Sequence, residues 1–315
     1  MFDDPMIRPR YTGLASFMRA PYRENWEGVE IGLIGVPYDG GVTNRPGARH
    51  GPREIRNQSS LIRRINQATK ICPYDLCEVA DLGDAWVEKP FELESALAEI
   101  HGFFSRVHAQ GIVPLSAGGD HSVTLPILRA IAAKPTGPLG LIHFDAHCDT
   151  GDDYLGSKFH HGAPFRRAVE EGLLDPKRCI QIGVRGSLND LDIWSFSHDS
   201  GMRVIYIEEF YELGVQGVID EAHRVVGSGP AYVSFDVDGL DPVYAPGTGT
   251  PEVGGFSTLE AQLMLRGLAG LNLVGGDVVE VSPPFDPSGN TALVGATMMF
   301  EILCLLAQSR SAQRN

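Results

Sequence analysis

Leu139-Gly140-Leu141-Ile142-His143-Phe144-Asp145-Ala146-His147-Cys148-Asp149 decides how the rest of this chain is read. Its first six residues are apolar on both alternating faces, as a strand covered by helices on both sides requires. Seven other short β-rich runs stand around it, at 29–36, 78–81, 112–117, 179–184, 204–207, 231–235 and 274–281. Longer helical patterns separate them. Leu93, Leu97, Ile100, Phe104 and Val107 form one stripe within 91–110, and Pro52 opens a helix running towards Ile65. A third pattern, 292–307, is apolar almost all round and reads as a buried helix at the core or at a subunit contact. Alternation of this kind predicts a three-layer α/β/α fold around an eight-stranded, mainly parallel sheet. There is no internal repeat or linker, so residues 1–315 are expected to form one domain.

The chemistry sits where the apolar runs stop. Gly118-Gly119-Asp120-His121 follows the third run, Asp145-Ala146-His147-Cys148-Asp149 the fourth, and Asp236-Val237-Asp238 the seventh. In a parallel sheet these are carboxyl ends of strands, where such sheets place their ligand sites. If each segment stays extended, residues two apart share a side, so Asp145, His147 and Asp149 converge, as do Asp236 and Asp238. A single aspartate after a strand is commonly a helix cap, and a single histidine a satisfied polar group. Six such groups at neighbouring strand ends would repel and desolvate one another unless a cation compensated them. Four carboxylates and two imidazoles make an oxygen-rich set that suits Mn²⁺, with Ni²⁺ as the alternative, better than a thiolate zinc site. Two divalent ions about 3.5–4 Å apart would share a water acidic enough to ionise near neutral pH, the expected nucleophile. The long Gly/Pro/Asp/His-rich connections 150–164 and 237–255 are expected to be functional loops.

Composition excludes some alternatives. A formal charge of −14 and the lack of a Lys/Arg-rich run argue against nucleic acid as a partner and favour a cationic small molecule. The opening Met1-Phe2-Asp3-Asp4-Pro5 has no secretory pattern, and no membrane span is expected, which points to the cytoplasm. The five cysteines form no C-x-x-C pair and read as reduced thiols.

These motifs, in this order, resemble the ureohydrolase family of arginases, agmatinases and guanidino-acid hydrolases. The match runs from Gly35-Val36-Pro37-Tyr38-Asp39-Gly40-Gly41 to Glu280-Val281-Ser282-Pro283-Pro284-Phe285-Asp286. The resemblance implies cleavage of a guanidino compound to urea and an amine at a dimanganese centre. His121 and Asp149 would serve one ion, His147 and Asp238 the other, and Asp145 and Asp236 would bridge. It also implies that His161 shuttles protons at the pocket mouth, that Glu280 grips the guanidinium, and that the chains form trimers or hexamers. A carboxylate ending an apolar strand suits the Glu280 role, because it can hold a planar cation bidentately. Asp149 would protonate the departing amine, which cannot leave as an anion.

For substrate, Arg45-Pro46-Gly47-Ala48-Arg49-His50-Gly51-Pro52 and 165–175 resemble most the 3-guanidinopropionate and 4-guanidinobutyrate hydrolases. Tyr154 matches a tyrosine that would shorten the pocket, which favours 3-guanidinopropionate. Against this, Gly151, Ala163 and Cys148 replace residues usual in that group, and each exchange removes a donor for a substrate carboxylate. That leaves room for agmatine or a biguanide such as metformin. Two rival readings remain: a zinc deacetylase of similar fold, which the Asp236/Asp238 pair and His121 oppose, and a metal-bearing, non-catalytic subunit of a hetero-oligomer.

Overall fold

The computed structural model describes residues 8–132 and 137–314, so the opening Met1–Pro5 stretch lies outside the described residues. Eight strands form one sheet: β1 Ile31–Gly35, β2 Val79–Asp84, β3 Val113–Ala117, β4 Leu139–Phe144, β5 Leu174–Val184, β6 Arg203–Tyr206, β7 Ala231–Asp236 and β8 Leu273–Val279. Their order is β2-β1-β3-β8-β7-β4-β5-β6. Every pairing between these strands is parallel. Each expected run became a strand. β5 begins earlier than its apolar run because Leu139 pairs with Leu174 before an irregularity carries the register on to Leu141 and Cys179.

The helices are α1 Gly51–Ser59, α2 Pro73–Leu76, α3 Leu93–Ala109, α4 Thr124–Ile131, α5 Pro164–Glu170, α6 Ser195–Ser200, α7 Ile207–Val226, α8 Thr258–Gly267 and α9 Asn290–Ala312. On β4, Ile142 and Phe144 pack with Ile55 of α1, Val218 of α7, Met264 of α8 and Met299 of α9. Leu139 and Leu141 point the other way, into the cluster that holds Ile100 of α3, Leu128 of α4 and Phe165 of α5. Burying a side chain of this size contributes about 1.5–3 kcal/mol, so covering both faces is what makes an all-parallel sheet stable. Helix α1 ends at Ser59, short of Ile65. There the Ser59 hydroxyl bonds back to the Arg56 carbonyl and accepts the Met18 N–H, which competes with continuing the helix.

Against the sequence expectation, α9 is long and apolar enough to cross a membrane, yet its most apolar window is 83% buried within the fold. Met298, Ile302 and Leu305 are buried there, which is the reason for a composition apolar all round. All five cysteines are buried, free thiols.

Candidate metal centre and substrate pocket

Three aspartates turn the chain in the same way at three neighbouring strand ends. Asp120 accepts the Ser122 N–H at 2.8 Å, Asp145 the His147 N–H at 2.6 Å and Asp236 the Asp238 N–H at 2.8 Å. A carboxylate that captures the N–H two residues on bends the backbone. The segments are therefore not extended as expected: Val237–Gly239 is a 3₁₀ turn, and Asp149 is left-handed with φ 53°. The predicted convergence survives, but the turns produce it. In Asp120 both oxygens are spent on Ser122 and on the Gly41 N–H, so this residue is the cap that a lone aspartate suggested. Burial, then the nearby Glu280 charge, raise its pKa to about 6.

The other six groups meet. His121 Nδ1 lies 2.9 Å from Asp149 Oδ2, 3.2 Å from Asp145 Oδ2 and 3.3 Å from Asp236 Oδ2. His147 Nδ1 lies 3.2 Å from Asp145 Oδ1 and 3.3 Å from Asp238 Oδ2. Asp145 thus spans the two imidazoles. Two groups of potential ligand atoms share Asp145, one of His121, His143, Asp145 and Asp149 and one of Asp145, His147 and Asp238, while Asp236, expected to bridge, joins only through its contact with His121.

The tautomer of His121 shows why a cation fits. Ser234 Oγ donates to Asp277 at 2.7 Å, so at 2.8 Å it accepts from His121 Nε2–H. The lone pair of Nδ1 then faces three carboxylate oxygens, and that atom is buried without a hydrogen-bond partner. A lone pair pressed against anions in a dry site is unfavourable unless a proton or metal ion lies between them. Burial, with the Asp238 and Asp145 charges behind it, pushes the Asp236 pKa well above the carboxylate range. Burial opposes an imidazolium at His121 and His147, but the carboxylates around them raise both pKa values well above normal.

Sequence reading missed the layer beneath. Gln181, His143, Ser234, Asp277 and Ser116 are register neighbours across β5, β4, β7, β8 and β3, and all are fully buried. The Gln181 amide donates to His143 Nδ1 at 3.1 Å, so His143 presents Nε2–H to Asp145 Oδ2 at 2.8 Å. Asp277 also accepts from Thr124 at 2.7 Å and Tyr232 at 2.9 Å. One signal was available: His143 and Ser234 stand two residues before Asp145 and Asp236, on the same side of their strands.

The model of the family described as "Arginase family" matches residues 29–305. The chain belongs to the arginase family. It is 61% identical over 302 residues to a guanidinopropionase of Pseudomonas aeruginosa, covering 96% of this chain and 94% of that one. A mitochondrial agmatinase of Gallus gallus is 48% identical, with 94% and 87% covered. Among solved structures, proclavaminate amidino hydrolase from Streptomyces clavuligerus superposes with a TM-score of 0.92 at 40% identity, over 96% of this chain and 99% of that one.

In this arginase-family chain a cavity of 320 Å³ opens beside the cluster, lined by His147, Asp149 and Asp236 and by Tyr154, Ile193 and Trp194 among others. No lysine or arginine lines it among the described residues. His161 lines it; Glu280, bonded to His161, does not. His161 is deeper than a mouth position implies, at 7% exposure, with Nδ1 2.9 Å from Glu280 Oε1 and Nε2 2.7 Å from the Thr43 hydroxyl. Burial and the Thr43 N–H favour a neutral ring, but the Glu280 charge and hydrogen bond, with the Asp120 and Asp149 charges behind them, together lift the His161 pKa to about 9. Glu280 has a strained backbone (φ 63°); its Oε1 accepts the His121 N–H at 2.8 Å, and its Oε2 is buried without a partner.

Tyr154 and Gly151 line the cavity as expected, and the sequence did not single out Asn189, Ile193 or Trp194, which come from the segment after β5. Gly151 is less a lost donor than a packing requirement. A Cβ there would stand 2.9 Å from the Gly162 carbonyl, to which the Gly151 N–H already donates at 2.8 Å.

Proposed function

We propose that this chain hydrolyses a small guanidino acid, 3-guanidinopropionate before others, to urea and an amine. The observation that carries the guanidino part of the reading is a cavity lined by the Asp149 and Asp236 carboxylates, and the acid part is supported by 61% identity to a guanidinopropionase. A planar cation suits those carboxylate acceptors, and Glu280, bonded to His161 behind the cavity lining and with its Oε2 buried and unpartnered, would add its negative charge behind them. The relatives' activities support the substrate class.

His121, Asp149, Asp145 and Asp236 would hold one divalent cation, and His147 and Asp238, sharing Asp145 and Asp236, the other. We take Mn²⁺ as the ion, with Ni²⁺ as the alternative. The pair, when bound, supplies Lewis acidity and lowers the pKa of water. The protein's own groups do the rest. Glu280 orients the guanidinium, Asp149 hands a proton to the departing amine nitrogen, and His161 returns protons along its contacts with Glu280 and Thr43. Tyr154, Ile193 and Trp194 restrict water at the substrate's far end. The proposal is completed by a cytoplasmic homo-oligomer, a trimer or hexamer, which sedimentation would size.

The bare wall also favours a second reading, since agmatine or a biguanide brings no carboxylate to be matched. Urea release by Mn²⁺-loaded protein over 3-guanidinopropionate, 4-guanidinobutyrate, agmatine, arginine and metformin decides between them. The expected order is 3-guanidinopropionate first. A preference for agmatine replaces it with the second reading, and no urea from any substrate by protein holding two ions leaves a non-catalytic subunit.

A further inference from the structure

The segment leaving β5, Gly183-Val184-Arg185-Gly186, has no part in the chemistry above, yet it is shaped for close approach. Gly183 and Gly186 are both left-handed, with φ 103° and 94°. A Cβ on Gly183 would lie 3.1 Å from the Asp145 carbonyl oxygen, and one on Gly186 2.5 Å from the Glu252 carboxyl carbon. Between them, Arg185 is 6% exposed.

Its guanidinium is spent on backbone carbonyls rather than on a carboxylate. Nη1 donates to Gly183 and Gly239, both at 3.0 Å. Nη2 donates to Asp238 at 2.8 Å, Leu240 at 3.1 Å and Glu252 at 2.7 Å. Nε reaches Glu252 and Val253, both at 3.2 Å. The Arg185 backbone N–H donates to Ala146, between Asp145 and His147, at 2.9 Å. One residue therefore grips the turn that carries Asp238, the far end of the same loop at Glu252 and Val253, and the Asp145–His147 turn.

A planar fork of five fixed donors can satisfy such a cage, and a lysine with three donors on one atom cannot. Among the described residues, the Asp238 side chain accepts two hydrogen bonds that hold its direction from outside the cluster, from the Ala146 N–H at 3.1 Å and the Thr250 hydroxyl at 3.2 Å. Both come from segments that Arg185 ties down. We infer that Arg185 is a positioning residue for the metal centre: by clamping both ends of the 237–255 loop it aims Asp238 and Thr250, and so sets the affinity of the His147/Asp238 ion. The inference rests on the two-ion reading and not on which guanidino compound is the substrate.

The test is Mn²⁺ binding to full-length apoprotein, measured by competition with a fluorescent chelator, for Arg185→Lys and Arg185→Met. Loss of an outer support commonly weakens a metal site roughly 10–100-fold. Both variants should weaken the His147/Asp238 ion by that factor and leave the His121/Asp149 ion within about threefold. Turnover should fall while KM stays close to that of the parent, and proteolysis within 241–254 should quicken. Arg185→Lys preserves the buried charge, so wild-type affinity for both ions in that variant overturns the clamp. A variant that melts lower but binds both ions as the parent does reduces Arg185 to a purely structural role and overturns it equally. If the parent protein itself takes up a single ion, the two-ion reading fails, and that failure is visible before any variant is made.

Discussion

Two polar layers cross the middle of the sheet two residues apart, and they differ in how they use charge. At the strand ends, Asp145, His147, Asp149, Asp236, Asp238 and His121 crowd together with His121 Nδ1 unsatisfied. One layer below, most donors have an acceptor in the protein: Gln181 to His143, His143 to Asp145, His121 to Ser234, and Ser234, Tyr232 and Thr124 to Asp277. The lower layer leaves Ser116 Oγ and Gln181 Oε1 without a partner but holds a single carboxylate, Asp277, which accepts from three hydroxyls; the upper one crowds four carboxylates and needs cations. Its excess of acceptors is the property that a metal site requires, and the lower layer aims it.

The contrast is broken most forcefully at the top. Asp145→Asn and Asp238→Asn remove charged groups that nothing else replaces, and urea release should fall to background with loss of at least one ion by elemental analysis. Near-normal activity and metal content in Asp238→Asn would remove that residue from the site.

In the lower layer, His143→Leu and Asp277→Asn leave all six ligands in place, so each should cost less: roughly 10–100-fold in Mn²⁺ affinity. Excess Mn²⁺ should restore much of the turnover in these variants, whereas it should not rescue Asp145→Asn. If Asp277→Asn bound metal as the parent does, the Ser234 relay to His121 would be packing alone.

Tyr154 belongs to neither layer and tests the cavity wall. One methylene in an enclosed apolar pocket changes specificity by roughly 10–200-fold, and Tyr154 is 46% exposed, so the low end applies. Tyr154→Ala should shift the kcat/KM ratio of 4-guanidinobutyrate to 3-guanidinopropionate upward by about tenfold. An unchanged ratio moves the specificity to Asn189, Ile193 and Trp194.

The smallest effect is on stability. The His161 pKa is raised from 6.5 to about 9, so its pairing with Glu280 contributes fully below about pH 6.5 and is lost as pH rises through about 9. The melting temperature of the apoprotein should therefore drift down between those values, and His161→Gln should flatten that part of the profile. A parallel slope in His161→Gln would assign the drift to other groups.

The eight strands and the six side chains that meet at their ends were legible because each is written in short windows of the sequence. A short apolar run with no polar face, too brief for a helix, suits a covered strand, and a D-x-H-x-D cluster is intolerable without compensation. Even there the local geometry was misjudged, since Asp145 and Asp236 capture the N–H two residues ahead and bend segments that alternation draws as extended. What the sequence by itself determined was the sheet, the family and which acidic and imidazole groups crowd at the strand ends, all properties of short windows whose physics is local. Only the tertiary structure decided that Gln181, His143, Ser234, Asp277 and Ser116 fall in one row, that His161 is buried against Glu280, and that Arg185 closes the 237–255 loop. Strand register and loop closure join residues that lie far apart in the chain, and a hydrogen bond between such residues leaves no pattern in either neighbourhood.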